Sequence, residues 1–270
     1  MVSTAVTVVL VGFLFVGLPF ALVGAVFVSR GVARIRERRE LQAAAMDTVA
    51  SVQAGQRSKL LGTVEAAGTT APLEAGFSGE PALAVQYVVV EARPDGDGGT
   101  DERRVYEDVR TVTCELTDET GRVRVDADPE TVDASDEHHE SIRVGKGEEP
   151  PEQVRQFLRA TEDVDGVFEG VDVGPFNVGG RTRYYREWRI APGDRVLVYG
   201  TGDRDPDADW GESLVVRTDE ADDGLFTNYS PDEYADRSLL GIVGYLVVGT
   251  ALLVAPVVVL TYMLLEMGAL

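Results

Sequence analysis

Histidine and cysteine, which most often act as metal ligands, catalytic bases or nucleophiles, occur three times in this sequence. His138 and His139 are adjacent and are flanked by acidic residues. Adjacent side chains diverge on a strand, and no histidine lies four residues away to form a helical pair. The pattern therefore favours a solvated loop over a metal site. No serine motif accompanies the histidines, so the sequence does not support a Ser-His-Asp triad.

Cys114 is the only cysteine, which excludes an intramolecular disulfide and a structural zinc site built from several thiolates. It lies in the alternating run Thr111–Leu116, where Val112 and Leu116 are apolar neighbours. This pattern predicts a buried core thiol rather than a nucleophile. We expect no metal and no cofactor.

No other motif predicts catalysis. The sequence contains no G-x-x-x-x-G-K-[ST] phosphate loop, and the glycines of 96–99 are not followed by a helical pattern. With 46 acidic residues, any one pair of carboxylates carries little information. An enzyme with an unrecognised site in the central part of the chain stays an alternative.

The densest aromatic and basic segment is 181–189. Strand alternation places Arg183, Tyr185, Glu187 and Arg189 on one face and Tyr184, Arg186, Trp188 and Ile190 on the other. The segment could form a recognition strip for an acidic or aromatic ligand. The favoured interpretation is a core strand with Tyr184 and Trp188 buried and its arginines paired with acids.

The charge of the chain is strongly acidic, with a formal net charge of −21. Residues 60–237 contain 18 basic and 42 acidic side chains, a net charge of −24. Lysine occurs only at Lys59 and Lys146, against 23 arginines. Lysine depletion with excess acid favours adaptation to molar salt, as in extreme halophiles, over an acidic surface for a basic partner. A surface of this charge repels phosphate backbones, which argues against nucleic-acid binding.

Two apolar segments flank this acidic body. Residues 1–29 and 238–265 contain no charged side chain, and each exceeds the roughly 20 residues that a membrane-spanning helix needs. We predict transmembrane helices at 5–29 and 238–265. Neither contains an ionisable residue, so ion or proton transport has no support in the sequence.

The basic residues that follow the first span are Arg30, Arg34, Arg36, Arg38 and Arg39. The positive-inside rule places them, and the body, in the cytoplasm. We therefore predict an integral protein of the cell membrane with the lipid bilayer as one partner. Residues 30–57 have the pattern of a basic juxtamembrane helix. It either lies near anionic headgroups or only sets the topology.

The body from 58 to 220 is predicted to be a mostly-β, α+β domain, followed by a linker at 221–237. Alternating apolar residues predict strands at 60–64, 83–89, 104–115, 183–190, 195–201 and 213–218, and a hairpin over 112–126. An acidic insertion, 128–170, is low in apolar residues and expected to be exposed. It contains a short helical pattern at 151–160.

Three segments of the body resemble the GIDE domain. Residues 61–64, 71–73 and 77–82 resemble its opening, 112–126 its central hairpin, and 186–200 its closing motif. The resemblance covers about residues 58–220 together with the two-span layout. The motif positions, which are expected to be structural, are Pro72, Gly79, Pro81, Gly121, Glu187, Trp188, Pro192, Gly193, Asp194 and Gly200.

The GIDE domain is the membrane-facing part of mitochondrial E3 ubiquitin or SUMO ligases of the MAPL type. Those ligases carry a zinc-binding RING after the second span, and a single cysteine cannot supply one. The resemblance therefore implies a non-catalytic, membrane-anchored binding or scaffold module with a protein or lipid partner. The alternative is an E3 ligase-like protein that acts through a separate catalytic subunit.

Overall fold

A computed structural model describes residues 11, 13–94, 100–161, 181–205, 214–219, 221 and 223–266. The chain divides into two compact units. One consists of Met1–Ala44 and Pro231–Leu270, and the other of Ala45–Ser230. The first is helical and the second is mostly β.

The helical unit contains α1, Leu18–Ala43, preceded by a π-helical turn at Phe13–Gly17, and α3, Pro231–Glu266. The two helices pack closely at a pair of glycines. A Cβ atom on Gly24 would lie 2.8 Å from the carbonyl oxygen of Gly249. Small residues at this point therefore let the two backbones approach each other.

Both helices are long and apolar enough to cross a membrane. Their large apolar side chains mostly point away from the rest of the chain. Phe15 is 74% exposed, Leu22 61% and Val247 63%. Exposure of so much apolar surface to water is unfavourable, whereas contact of the same surface with lipid tails is not. The predicted apolar helices near the two ends of the chain are confirmed, although residues 5–10 and 12 of the first lie outside the described residues. The predicted linker at 221–237 is not one, because Leu225–Thr227 forms a strand and α3 begins at Pro231.

The helix that follows the first apolar segment is shorter than the predicted 30–57. α1 ends at Ala43, and the chain then enters the β unit, where a 3₁₀ turn forms at Val49–Ser51. Val49 and Val52 are buried among the side chains of the β core. Val49 and Val52, which were predicted to lie on one face of a helix, therefore pack into the β core.

The centre of the β unit is a closed barrel of five strands. Strands β1, β6, β7, β12 and β11 follow one another round the barrel, and β11 pairs again with β1. All pairs are antiparallel except β7 with β12, which is parallel. Five-stranded Greek-key barrels of this kind include the OB-fold. The barrel strands are β1 Arg57–Ala66, β6 Cys114–Asp118, β7 Gly121–Ala127, β11 Arg195–Arg204 and β12 Leu214–Thr218.

A four-stranded antiparallel sheet accompanies the barrel, in the order β5-β4-β10-β9. One face of it packs against α2, Glu152–Ala160, through Val154, Phe157 and Leu158. The helical pattern predicted at 151–160 therefore forms a helix. The strands of the sheet are β4 Ala84–Pro94, β5 Thr100–Thr111, β9 His139–Val144 and β10 Arg183–Ile190.

Four short strands complete the unit. β2, Leu73–Glu74, and β3, Pro81–Ala82, form a small hairpin. β13, Leu225–Thr227, extends the barrel sheet from β11 and pairs in parallel with β8, Val132–Asp133.

One strand prediction was wrong in detail. The segment 104–115 is not one strand, because β5 ends at Thr111 and β6 begins at Cys114. Between them the chain leaves the sheet for the barrel, and the Val112 N–H bonds the carbonyl of Leu83 at 2.9 Å. The hairpin predicted over 112–126 is formed by β6 and β7.

The acidic insertion is less exposed than expected, because Thr131, Ala134 and Val144 are buried. Its first part, 128–150, contains 3₁₀ turns at Pro129–Thr131 and Asp136–His138 and the strands β8 and β9. β9 pairs only along β10 at the edge of the described sheet. An edge strand can carry many polar side chains. A search for alternating apolar residues therefore did not predict β9. Residues 162–170 of the predicted insertion lie outside the described residues.

Candidate functional site

The candidate site is built on the segment of the closing motif that joins the sheet to the barrel. β10 carries Glu187 and Trp188 on opposite faces, and a tight turn through Pro192 and Gly193 then starts β11. Gly193 has φ +92°, a conformation that glycine adopts without strain. Asp194 completes this turn.

Glu187 is fully buried. Its Oε2 accepts a hydrogen bond from the Phe77 N–H at 2.7 Å, and its Oε1 accepts one from the Ser78 hydroxyl at 2.5 Å. The guanidinium Nε of Arg189 lies 3.5 Å from Oε1. A buried carboxylate with these partners fixes the loop between β2 and β3 to the sheet.

Aromatic side chains surround this carboxylate. Phe77 makes edge-on contacts with Tyr87, Phe157 and Tyr185 at ring-centroid distances of 5.1, 5.1 and 5.7 Å. Burial raises the pKa of Tyr87 to about 12, and the nearby charge of Glu187 adds to the rise, against the hydrogen bond from the Gly76 N–H. The phenol therefore stays neutral at any physiological pH.

The predicted burial along β10 was assigned to the wrong side chains. Tyr185 and Glu187 are buried, whereas Tyr184 and Trp188 are only half-buried. The helix α2 and the β2–β3 loop cover the first face. On the other face, only the barrel end of the strand is covered, where Ile190 joins the barrel core.

Asp194 ties three separate segments together. Its Oδ2 accepts hydrogen bonds from the Ala191 N–H at 2.9 Å and from the Asn228 side-chain amide at 3.2 Å. Its Oδ1 lies 2.9 Å from Nε2 of His138. Asn228 in turn accepts a bond from the Ser135 N–H at 2.7 Å. The aspartate thus connects the β10–β11 turn, the end of β13 and the turn before β9.

Both histidines make side-chain contacts, and they lie in a 3₁₀ turn and in β9 rather than in the expected loop, although the side chain of His139 is exposed as expected. The ring of His139 stacks on Trp188 at 4.7 Å with an interplanar angle of 21°. Trp188 also donates its indole N–H to Asp136 at 2.9 Å. Sequence reasoning could not find these contacts, because β9 and β10 are separated by almost forty residues.

A histidine paired with an aspartate is also part of many hydrolytic sites, which need a nucleophile at the second ring nitrogen. Within the described ranges, no hydroxyl is hydrogen-bonded to His138. The Ser78 hydroxyl donates to Glu187, and the Ser135 hydroxyl accepts from the Glu137 N–H. The pair links the turn before β9 to the turn between β10 and β11.

Metal and thiol chemistry find no support in the described part of the chain. No three His, Cys, Asp or Glu side chains there are grouped so as to hold a metal ion. Cys114 is 1% exposed, and burial raises the pKa of its thiol to about 12. It is a core side chain, as predicted, and stays protonated.

The other motif residues have local roles. Gly79 has φ +74° in the loop that Glu187 holds. A Cβ on Gly200 would lie 2.4 Å from the Arg217 carbonyl oxygen, so β11 and β12 require glycine there. Pro72 is exposed just before β2, Pro81 is exposed within β3, and Gly121 begins β7.

The basic cluster after the first apolar segment lies on α1. Arg30 and Arg39 are exposed, and Arg34, Arg36 and Arg38 occupy the helix between them. All five therefore belong to the helical unit rather than to the β unit.

Sequence reasoning missed a second buried carboxylate. Glu91 is 8% exposed and accepts hydrogen bonds from Arg181, Arg183 and Arg93 at 2.7, 3.2 and 3.2 Å. Burial alone would raise the pKa of Glu91, but these hydrogen bonds outweigh it and lower the pKa. The only advance signal is the high arginine content of 181–189, which does not identify the partner.

Comparisons with protein-family models, curated proteins and solved structures find no match to this chain.

Proposed function

We propose that this protein is a membrane-anchored binding or scaffold module without catalytic activity of its own, with its β unit at the cytoplasmic face of the membrane. The observation that carries the proposal is the pair of apolar helices, one near each end of the chain. Between them the chain forms a folded unit with its own core.

The orientation rests on the arginines of α1. Five arginines within ten residues follow the first apolar segment, and Arg237 directly precedes the second. Positive charge next to a span is retained on the cytoplasmic side. Both helices then place the β unit on that same side.

The absence of catalysis is proposed from how the reactive groups are used. Glu187 and Glu91 hold loops and arginines in place, and His138 is bound to Asp194. Enzymes keep such groups available to substrate, with pKa values close to the working pH. The ionisable side chains of this unit are used in structural contacts. This favours a binding surface over an active site.

The partner class is a protein or a lipid at the membrane surface. Nucleic acid is disfavoured because residues 60–237 carry a net charge of −24. The same acid content makes any interaction dependent on salt concentration.

Extraction of membranes with alkaline carbonate tests the anchor. The full chain should stay in the membrane pellet, and a variant limited to residues 45–230 should be released. Full release of the intact chain would overturn the proposal.

The GIDE resemblance supports a second candidate, an E3 ligase-like component that works with a separate catalytic subunit. Its support is the closing motif at 186–200. Purified protein incubated with ubiquitin-activating and ubiquitin-conjugating enzymes should transfer no ubiquitin. Transfer that appears only when a separate RING subunit is added would favour this candidate, and transfer by the chain alone would contradict both.

A further inference from the structure

The first charged side chain of the chain, Arg30, lies where the apolar part of α1 ends. Residues 1–29 contain no charged side chain, and α1 runs through this point as one helix, Leu18–Ala43. The helix therefore carries Arg30 to the boundary of the hydrocarbon region, where the lipid headgroups begin. A guanidinium group stays charged there and needs a counter-charge, because an unpaired charge next to hydrocarbon is costly.

Arg30 lies on the side of α1 that is turned away from α3. Val26, four residues earlier, and Val23, seven residues earlier, share its side of the helix, and both are 48% exposed. The next residue, Gly31, packs against α3, because a Cβ there would lie 3.0 Å from a side-chain carbon of Leu246. Arg30 is itself exposed. The apolar stripe that faces lipid on α1 therefore ends in a guanidinium group.

The helical unit offers Arg30 no carboxylate at this level. The positions that a side chain at 30 can reach in the next turn of α1 are Ala33 and Arg34. The segment 238–265 of α3, which packs against this part of α1, contains no charged side chain. The first acid along α1, Glu37, lies about 10 Å further along the helix axis. The counter-charge of Arg30 must therefore come from outside the helical unit.

We propose that Arg30 binds the phosphate group of an anionic phospholipid at the boundary of the bilayer. A guanidinium group donates paired N–H bonds to two phosphate oxygens, and such charge-assisted bonds are stronger than neutral ones. The phosphate charge of an anionic lipid is not balanced within its headgroup, whereas phosphatidylcholine carries its own trimethylammonium group. The site therefore selects anionic over zwitterionic lipid.

A second exposed arginine of α1 provides the matched control. Arg39 lies nine residues beyond Arg30 on the same helix, which is about 13 Å along its axis. The headgroup layer on one side of a bilayer is only about 5–8 Å thick, so Arg39 lies beyond it. In molar salt the Debye length is about 3 Å, so a charge at that distance is screened from the lipids. Both arginines count for topology, but only Arg30 contacts a headgroup.

The inference rests on the membrane anchor of the proposed function and not on its orientation. The test is electron paramagnetic resonance of spin-labelled lipids, with the full-length protein reconstituted in phosphatidylcholine bilayers at molar KCl. Lipids in contact with the helices give a motionally restricted spectrum, and the restricted share of each label gives the relative affinity of that lipid. The two labels are phosphatidylglycerol and phosphatidylcholine.

The variants are Arg30→Gln and its control Arg39→Gln, because glutamine removes the charge and is a good helix former. Circular dichroism checks that each variant is folded. A basic residue close to an anionic headgroup contributes about a fivefold preference at its own site. Averaged over all lipids around the helices, wild type and Arg39→Gln should favour phosphatidylglycerol by at least about 1.5-fold, and Arg30→Gln should lose at least half of this preference.

No preference with wild type, an equal loss in both variants, or a preference that Arg30→Gln retains in full would overturn the proposal. In each of these cases restricted phosphatidylcholine would leave the membrane anchor standing. A restricted spectrum from neither label would overturn the anchor as well.

Discussion

The barrel and the four-stranded sheet of the β unit bury different kinds of side chain. The hydrophobic core of the barrel is aliphatic apart from Cys114 and one aromatic residue, Phe226, and Lys59 is also buried in its strand β1. The sheet buries aromatic rings together with two carboxylates, Glu91 and Glu187. A closed barrel satisfies its backbone hydrogen bonds internally and has no open edge. The sheet has open edges, and its ionic groups hold the loops and strand ends that the barrel does not.

This difference indicates which part of the β unit depends most on the identity of individual side chains. Aliphatic packing tolerates exchange of similar side chains, whereas a buried carboxylate depends on each of its partners. We therefore expect the barrel to respond to changes of volume and the sheet to respond to changes of charge.

The largest expected effect concerns the whole β unit. Residues 45–230 contain 19 basic and 40 acidic side chains, a net charge of −21. At about 0.1 M salt the Debye length is about 10 Å, so like charges repel across the surface, and near 1 M it is about 3 Å. This unit should unfold as salt is lowered, as measured by circular dichroism. Equal stability in low and molar salt would remove the halophilic interpretation and favour an acidic binding surface.

Glu187→Ala should give the largest effect of a single substitution. It leaves the Phe77 N–H and Ser78 hydroxyl without their acceptor and Arg189 without its nearest charge. Loss of one member of a buried charged network costs about 3–5 kcal/mol of unfolding free energy. Chemical denaturation of the full chain in molar salt measures it.

The control for this substitution is Glu107→Ala in the same sheet. Among the described residues, Glu107 is exposed and pairs with Arg104. Its removal should change the unfolding free energy by less than about 1 kcal/mol. Equal losses of unfolding free energy in Glu187→Ala and Glu107→Ala would contradict the idea that the sheet depends on its buried carboxylate.

In the barrel, we expect an increase in side-chain volume at a tightly packed position to lower the stability. Gly200→Ala places a Cβ 2.4 Å from the Arg217 carbonyl oxygen, a backbone atom that cannot rotate away. We expect a loss of about 1–3 kcal/mol in the same denaturation assay. The matched control is Gly121→Ala, whose Cβ would make an ordinary 3.5 Å contact with Val49. The idea fails if the Gly200 variant is the more stable of the two.

The smallest expected effect is a dependence on pH at Glu91. Its folded-state pKa is lowered, so its contribution to stability is complete above the ordinary glutamate pKa, about 4.3, and is lost as pH falls through the folded value. The difference in stability between wild type and Glu91→Gln should therefore be constant near pH 7 and shrink below about pH 4.3. Molar salt suppresses the general effect of the other carboxylates. A difference that does not change on acidification would contradict the ionic role of Glu91.

Local patterns predicted much of the barrel. The apolar alternation at 60–64 and 112–126 fixed β1 and the β6–β7 hairpin, because each strand there has one face in the core. The two apolar helices followed from length and composition alone. The sequence pattern did not predict β9, because this strand lies at the edge of the described sheet and carries polar side chains.

The candidate site was less predictable for a physical reason. Asp194 meets His138, and Glu187 meets Phe77 and Ser78, across long separations in the chain. Such pairings depend on the order of the strands in the sheet, which periodicity does not encode. Alternation gave the two faces of β10 correctly but could not tell which face α2 would cover.

Site-directed labelling on intact cells tests the central claim, the membrane-anchored β unit at the cytoplasmic face, most directly. In a Cys114→Ala background, the protein with Glu119→Cys carries its one thiol at an exposed position of the β6–β7 turn. A membrane-impermeant thiol reagent should leave it unlabelled until the membrane is permeabilised. The reciprocal control, Ser3→Cys, should label on intact cells. Labelling of Glu119→Cys from outside would contradict the account.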